Sequence, residues 1–148
     1  MKFSVTRTFT APRDKIFAMI TDASVLQRCI DVCERIDKTG EDSYNAHLKI
    51  RIAGFKRSYI AKVQIRDKKA PESCTLLVES KSGFGFLKAI ARLKLNDKDA
   101  DSELFCDFES QFGGMIAVIV SRLPESVAQK VVDGFFDKFE EQVRIAKA

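Results

Sequence analysis

Nucleophilic and acid-base catalysis require a positioned pair or triad of side chains, and this sequence offers few candidates. The single histidine, His47, falls on the polar side of a predicted strand, between Asn45 and Lys49. No residue nearby in the sequence would orient its imidazole, so we expect His47 to be a solvated surface residue. The sequence therefore predicts no catalytic residue.

The cysteines and a cluster of acidic residues are the candidate metal ligands. Cys29 and Cys33 could share one face of a helix, but a structural zinc site normally has four ligands, and Cys74 and Cys106 fall on predicted strands far along the chain. We expect all four thiols to be reduced and to serve as small apolar side chains. The acidic residues from Asp97 to Glu103 lack the ordered loop of a calcium site. No metal site is predicted.

Composition limits the class of protein. The 148 residues predict one domain, residues 1–148, and 25 basic minus 21 acidic side chains give a net charge of +4. This mild excess permits an anionic surface as a partner and does not indicate nucleic acid. The N-terminus lacks the pattern of a signal peptide, and no uncharged apolar run approaches the ~20 residues that span a bilayer. We expect a soluble cytoplasmic protein, with a peripheral position at the inner face of the membrane as the alternative.

The elements that must position any site begin with the C-terminal stretch. The spacing from Gly113 to Val143 predicts one long amphipathic helix. Its two apolar sets, one through Ile116 and Val120 and the other through Phe135, are centred roughly 130° apart around the axis. Proline removes a helical hydrogen bond and clashes with the preceding turn, so we expect a bend or restart within one turn of Pro124.

The rest of the chain predicts a sheet. Residues 2–10 alternate as a half-buried strand, and two short helices follow from Arg13 and from Asp22, the latter a good N-cap. Six further strands are predicted at about 32–38, 43–52, 56–67, 73–81, 86–96 and 103–112. Short connections favour an antiparallel meander. The predicted fold is α+β, of order β-α-α-β6-α, with a curved seven-stranded antiparallel sheet wrapped around a long C-terminal helix.

This order of elements resembles the START-like helix-grip (SRPBCC) superfamily. Narrower similarity lies in particular segments. Residues Leu26 to Glu34 resemble the Leu-x-x-Cys-Ile-Pro-Gly-Cys-Glu segment of the CoxG family, which is named for a subunit of carbon monoxide dehydrogenase, with Asp31-Val32 in place of Pro-Gly. Residues 83–95, Phe112-Gly113-Gly114 at the start of the helix and Phe135-Phe136 near its end match in register. The resemblance covers almost the whole domain.

The superfamily resemblance implies a cavity between sheet and helix for an apolar ligand. Inward positions of the strands and the first half of the helix supply its predicted lining: Tyr44, Leu48, Tyr59, Leu76, Ala89, Phe108, Ile116, Val120, Leu123 and Val127. Either tyrosine could donate a hydrogen bond to a carbonyl of a quinone-like ligand, or both could bond to backbone.

A portal to that cavity is predicted from the geometry of the meander. Alternate turns of an up-and-down sheet lie at the same end, which brings the turn at residues 53–54 beside the loop at residues 82–86. The predicted portal combines aromatic and basic side chains: Phe55, Phe84, Phe86, Lys56 and Arg57. Glycines on both sides of Phe84 would allow the loop to open.

The family resemblance implies a non-catalytic accessory protein that binds a lipid or quinone and works with the subunits of a carbon monoxide dehydrogenase-type molybdenum hydroxylase. Transient contact with an anionic membrane surface fits the portal. Larger family members carry a C-terminal extension associated with membrane attachment, so this chain is expected to be a shuttle. No other cofactor is expected.

Two alternatives remain open from the sequence. One is a cyclase or dehydratase-type enzyme that uses the same cavity, with Ser80, Ser110, Tyr44 and Tyr59 as its inward polar residues. The other is an assembly or interaction factor with a filled core. The volume and lining of the cavity separate the three hypotheses.

Overall fold

Alternating apolar and polar side chains form seven strands of one antiparallel sheet. The computed structural model describes residues 1–52 and 54–147, apart from the side chains of Ile52 and Phe55. The strands are β1 (Lys2–Phe9), β2 (Cys33–Gly40), β3 (Ser43–Ile52), β4 (Phe55–Lys69), β5 (Ser73–Ser82), β6 (Gly85–Lys98) and β7 (Asp101–Gly113). Their order is β1-β7-β6-β5-β4-β3-β2, so β2 to β7 form the predicted meander and β1 joins its β7 edge. The predicted α+β helix-grip fold is confirmed.

Two strands extend further than predicted. The β4 strand continues to Lys69 past a register shift, where Asp67 adopts a φ of 53°. A bulge of this kind keeps a strand paired across an extra residue, and it carries no signature in the apolar alternation. The other strand, β7, runs on to Gly113, directly before the helical segment.

Two short helices cross one end of the sheet. They are α1 (Arg13–Ile20) and α2 (Ala23–Cys29). The predicted cap is confirmed, since Asp22 Oδ1 accepts hydrogen bonds from the Ser24 backbone N–H at 2.9 Å and from Ser24 Oγ at 2.7 Å. The α2 helix then packs on the C-terminal helix.

The C-terminal helical segment is broken at the predicted place. It consists of α3 (Gly114–Ser121) and α4 (Glu125–Lys147), separated by residues 122–124. Turn hydrogen bonds run from Leu123 N to Val120 O and from Val127 N to Pro124 O, each 3.0 Å long. Pro124 has no N–H to continue α3, and it instead precedes the first turn of α4. The α3 helix packs on β6 and β7.

The main core lies under the second half of α4. Phe139 is fully buried and meets Phe9 of β1 edge to face, with ring centroids 5.2 Å apart. Ile16 and Ile20 of α1 are also buried in this cluster, as is Leu104 of β7. This packing holds one half of α4 against the sheet and leaves the other half to form a wall of the site. Among the described residues, no helix combines the length and the apolar character needed to cross a bilayer.

Candidate ligand-binding cavity

A cavity of about 270 Å³ lies between the inner face of the sheet and the helices α1, α2 and α4. Strands β2 to β7 all contribute side chains to its floor. The register places Tyr44 beside Val63, and the next rung along the sheet joins Leu76 to Ala91. Since alternate residues of a strand point to the same face, these neighbouring rungs present one continuous apolar surface.

Small residues create the space. Ala46, Ala89 and Ala91 lie in the floor, and larger side chains such as Leu76 and Phe108 surround them. A larger apolar side chain at these alanines would occupy the volume that the cavity now leaves open. The cavity is therefore encoded by residue size, in addition to apolar character.

The roof of the cavity comes from two helices. Leu26 and Ile30 approach from α2 and the residue after it, and Val131, Val132, Phe135 and Phe136 from the first half of α4. Phe136 is buried, whereas Val131 lines the cavity and is also 70% exposed. The mouth of the cavity is thus beside Val131, and its closed end lies towards Phe136.

Hydroxyl groups near the cavity are largely bonded to backbone. Thr21 Oγ1 donates to Phe17 O at 2.8 Å, so Thr21 contributes mainly its methyl group to the wall. The two serines of the enzyme alternative are also bonded to backbone: Ser80 Oγ donates to Ile60 O at 3.0 Å and Ser110 Oγ to Met1 O at 3.4 Å. The phenol of Tyr44 lines the cavity.

Tyr59 lies next to the cavity floor on β4, opposite Leu48. It is 8% exposed, and its hydroxyl has no hydrogen-bond partner within the part of the chain that the structure describes. A buried hydroxyl normally bonds to something, since leaving it unpaired costs about 1–3 kcal/mol. Tyr59 is outside the cavity wall itself, so its predicted ligand contact stays a prediction.

Buried thiols add to the apolar character of the site. Cys106 lines the cavity and Cys74 lies near it; burial, above all, raises the pKa of each thiol to about 11. Burial also raises the pKa of Cys29 and Cys33. All four are free and remain protonated at neutral pH, as expected of inert structural thiols. Residues 1–52 and 54–147 contain no group of side chains arranged to hold a metal ion.

The structure brings four of the predicted lining residues together in the wall: Tyr44, Leu76, Ala89 and Phe108. The other six lie elsewhere. Leu48 and Tyr59 are nearer the β3–β4 turn, Ile116 and Val120 are half-buried on α3, and Leu123 and Val127 are exposed. The reason is the break at Pro124, which puts the first half of the helical segment on β6 and β7 instead of over the cavity.

The residues that were missed come from α2 and from the second half of the helical segment. Leu26, Ile30, Val132 and Phe135 line the cavity and were absent from the predicted set. The apolar stripe through Val132 and Phe135 was visible in the sequence. Its distance from the sheet was not, because that distance depends on where the helix bends.

The predicted portal is only partly described. The predicted proximity of its two turns is confirmed, because the Arg57 guanidinium carbon lies 3.6 Å from the centre of the Phe84 ring. Phe86 packs against the backbone of Gly113, and Lys56 is exposed. The side chain of Phe55 is outside the described residues. Lys56, Arg57, Phe84 and Phe86 are not in the wall of the cavity, so their role as a portal stays a prediction.

The interpretation of His47 needs a correction. Its Nε2 lies 2.9 Å from Asp37 Oδ2, and its side chain is only partly exposed. Asp37 also accepts a hydrogen bond from Arg35 Nε at 3.1 Å, and this bond, above all, lowers the pKa of Asp37. Strand pairing of β2 with β3 places Arg35 opposite His47, so the partner comes from the neighbouring strand.

Comparisons with solved structures confirm the fold. A conserved protein from Geobacillus kaustophilus is 28% identical, with a TM-score of 0.88 over 99% of this chain and 97% of that chain. A protein from Thermus thermophilus is 12% identical, with a TM-score of 0.71 over 100% of each chain. Ara h 8.0201, a Bet v 1-like protein, is 15% identical, with a TM-score of 0.69 over 97% of each chain. The last two show the fold alone.

The sequence comparisons are more specific. A comparison with curated proteins finds no match. The profile of the family described as the G subunit of carbon monoxide dehydrogenase (CoxG) matches residues 6–144, which include every strand and helix that borders the cavity. The name of that family denotes a subunit and specifies no reaction. The chain therefore belongs to the CoxG family of carbon monoxide dehydrogenase subunits.

Proposed function

We propose that this protein binds a hydrophobic molecule, a lipid or an isoprenoid quinone, in the cavity between the sheet and α4. The observation that carries the proposal is a space of about 270 Å³ with an almost wholly apolar wall. Transfer of apolar surface from water to such a wall is favourable by about 25 cal/mol per Å². The protein acts as a non-catalytic carrier.

The dimensions of the cavity favour a ligand that is only partly enclosed. An apolar cavity of about 150 Å³ accepts a molecule the size of benzene. A space of about 270 Å³ therefore holds a substituted ring or a short stretch of chain. The mouth beside the exposed Val131 allows the remainder of a longer molecule to extend outward. A quinone with an isoprenoid tail and a lipid with an acyl chain both have this shape.

Tyr44 supplies a polar group for orientation. Its side chain lines the cavity among aliphatic neighbours, including Ala46 and Val63. A phenol in such surroundings gains most from a hydrogen bond, because competing water is scarce. Tyr44 therefore donates to a carbonyl or ester oxygen of the ligand. A phenylalanine at this position would keep the shape and remove the bond.

The accessory role is supported by family membership. The family takes its name from a subunit of carbon monoxide dehydrogenase. We infer that this chain works with the subunits of a molybdenum hydroxylase of that type, and carries its apolar ligand to or from the inner face of the membrane in the cytoplasm. Pull-down of the tagged protein from its own cell lysate tests the partner, and recovery of no hydroxylase subunit would contradict it.

The ligand is tested first by native mass spectrometry. Protein purified from a lysate that contains membranes is expected to carry extra mass, and organic extraction identifies that mass as quinone or lipid. A protein that is empty, and that takes up neither added isoprenoid quinone nor phospholipid, would end the carrier hypothesis.

A cavity-filling variant locates the site. Ala91→Phe places a ring in the floor of the cavity and is expected to weaken binding of the fluorescent probe anilinonaphthalene sulfonate at least about tenfold. Ala100→Phe is the matched control, because Ala100 is exposed at the β6–β7 turn and far from the wall. Equal binding by the two variants would place the ligand elsewhere.

A further inference from the structure

The α3 helix has an unusual surface for an element of a folded domain. All eight of its residues, Gly114–Ser121, are uncharged, yet none of them is buried. Ile116 and Val120 are half-buried where α3 packs on β6 and β7. Met115 and Val118 face outward and are 52% and 44% exposed. This outward face is apolar, with nothing in the described structure covering it.

The apolar surface continues past the break at Pro124. Leu123, Val127 and Val131 are all exposed and follow one another at intervals of four residues. Residues four apart on a helix lie on one face, so Val127 and Val131 extend the surface along α4. Val131 is also part of the cavity wall at its mouth. The exposed stripe, Met115, Val118, Leu123, Val127 and Val131, therefore runs from α3 to the opening of the cavity.

Basic residues accompany the stripe at its α3 end. The Arg57 guanidinium lies on the Phe84 ring, and Phe84 O accepts a hydrogen bond from Ile116 N at 3.1 Å. The chain segments that meet at this end, residues 51–57, 80–88 and 111–124, contain no acidic residue. They contain six basic residues, all of them exposed: Arg51, Lys56, Arg57, Lys81, Lys88 and Arg122.

We propose that the exposed stripe docks on an anionic phospholipid membrane, with the mouth of the cavity against the bilayer. An uncharged apolar helix face bordered by lysine and arginine suits the membrane interface, where apolar side chains enter the acyl boundary and basic ones meet lipid phosphates. A protein partner is less suited, because a stable interface buries about 800 Å² on each side and five side chains present much less. The inference rests on the proposed function for its purpose, which is transfer of the apolar ligand without passage through water.

Flotation with phospholipid vesicles tests the inference. The protein is expected to bind vesicles that contain phosphatidylglycerol and to bind pure phosphatidylcholine vesicles much more weakly. High salt should weaken binding, since each basic residue near an anionic surface contributes about fivefold. Binding that is equal on the two kinds of vesicle would contradict the assignment of the basic residues.

The stripe itself is tested by Met115→Asp combined with Val118→Asp. Two carboxylates on the exposed face are expected to lower the partition coefficient at least about tenfold without unfolding the protein, because neither side chain is buried. Ile145→Asp is the matched control, since Ile145 is exposed near the other end of α4 and should leave vesicle binding unchanged. Undiminished binding by the double variant would overturn the proposal.

Ligand uptake separates this inference from the proposed function. The double variant is expected to take up a short-chain isoprenoid quinone added from ethanol as well as the unmodified protein does, and to transfer it to vesicles more slowly. Failure of both proteins to take up quinone or phospholipid would reject the carrier function while leaving vesicle binding as measured. A dimer that the double substitution dissociates, in a protein that never binds vesicles, would overturn membrane docking and assign the stripe to a second copy of the chain.

Discussion

The two ends of the C-terminal helical segment have similar apolar content and opposite surroundings. Phe136, Phe139 and Val143 of the second half are buried, and Phe139 meets Phe9 across the core. Met115, Val118 and Val131 of the first half are exposed. An apolar side chain therefore has two uses in this domain. One half of the segment stabilises the fold, and the other borders a cavity and presents an uncovered surface.

The difference arises from the break at Pro124 and from residue size in the sheet. Bulky side chains such as Phe9 and Leu104 fill the space under the second half of α4. Alanines at positions 46, 89 and 91 leave space under the first half. Stability and ligand binding should therefore respond to substitutions in different halves.

Phe139→Ala is expected to have the largest effect on stability. Removal of a fully buried ring leaves a cavity in the core and should lower the free energy of unfolding by about 3–5 kcal/mol. Urea denaturation followed by circular dichroism measures the change. A loss below about 1 kcal/mol would mean that the second half of α4 is not the main structural half.

Asp22→Ala should have an intermediate effect, because α2 borders both halves. Loss of the N-cap is expected to cost about 1 kcal/mol and to loosen the cavity wall at Leu26. Asp22→Asn is the control, since asparagine also caps helices.

The contribution of this cap depends on pH in a defined direction. The hydrogen bond from Ser24 Oγ, above all, lowers the pKa of Asp22 from its ordinary value of 3.8. A carboxylate with a lowered pKa stabilises the folded state above pH 3.8, and this contribution is lost as the pH falls through the lowered value. The difference in stability between the unmodified protein and Asp22→Ala should therefore shrink in acid. A difference that stays constant down to strongly acidic pH would show that the charge of Asp22 is not involved.

Val131→Ser is expected to have the smallest effect on stability, within about 0.5 kcal/mol, because the side chain is 70% exposed. It should nevertheless weaken binding of an apolar probe, since Val131 forms the edge of the cavity mouth. The comparison of the two halves would fail if Val131→Ser destabilised the fold as strongly as Phe139→Ala.

Local patterns account for the elements that were predicted correctly. Alternation in segments such as residues 43–52 identified each strand, and short turns required antiparallel neighbours. Asp22 and Pro124 have strong conformational preferences of their own, so the start of α2 and the break before α4 were also predictable. For the site, inward alternation was enough to identify Tyr44, Leu76, Ala89 and Phe108.

The sequence by itself thus determined the order of elements, the inner face of the sheet, the break in the helical segment and the resemblance to the CoxG family, because each depends on residues close together in the chain. The tertiary structure decided which half of that segment covers the cavity, that Leu123 and Val127 are exposed, and that Asp37 contacts His47. These features depend on distances between elements. Such distances follow from the summed packing of side chains such as Phe9 and Phe139, which lie far apart in sequence and meet only in the folded protein.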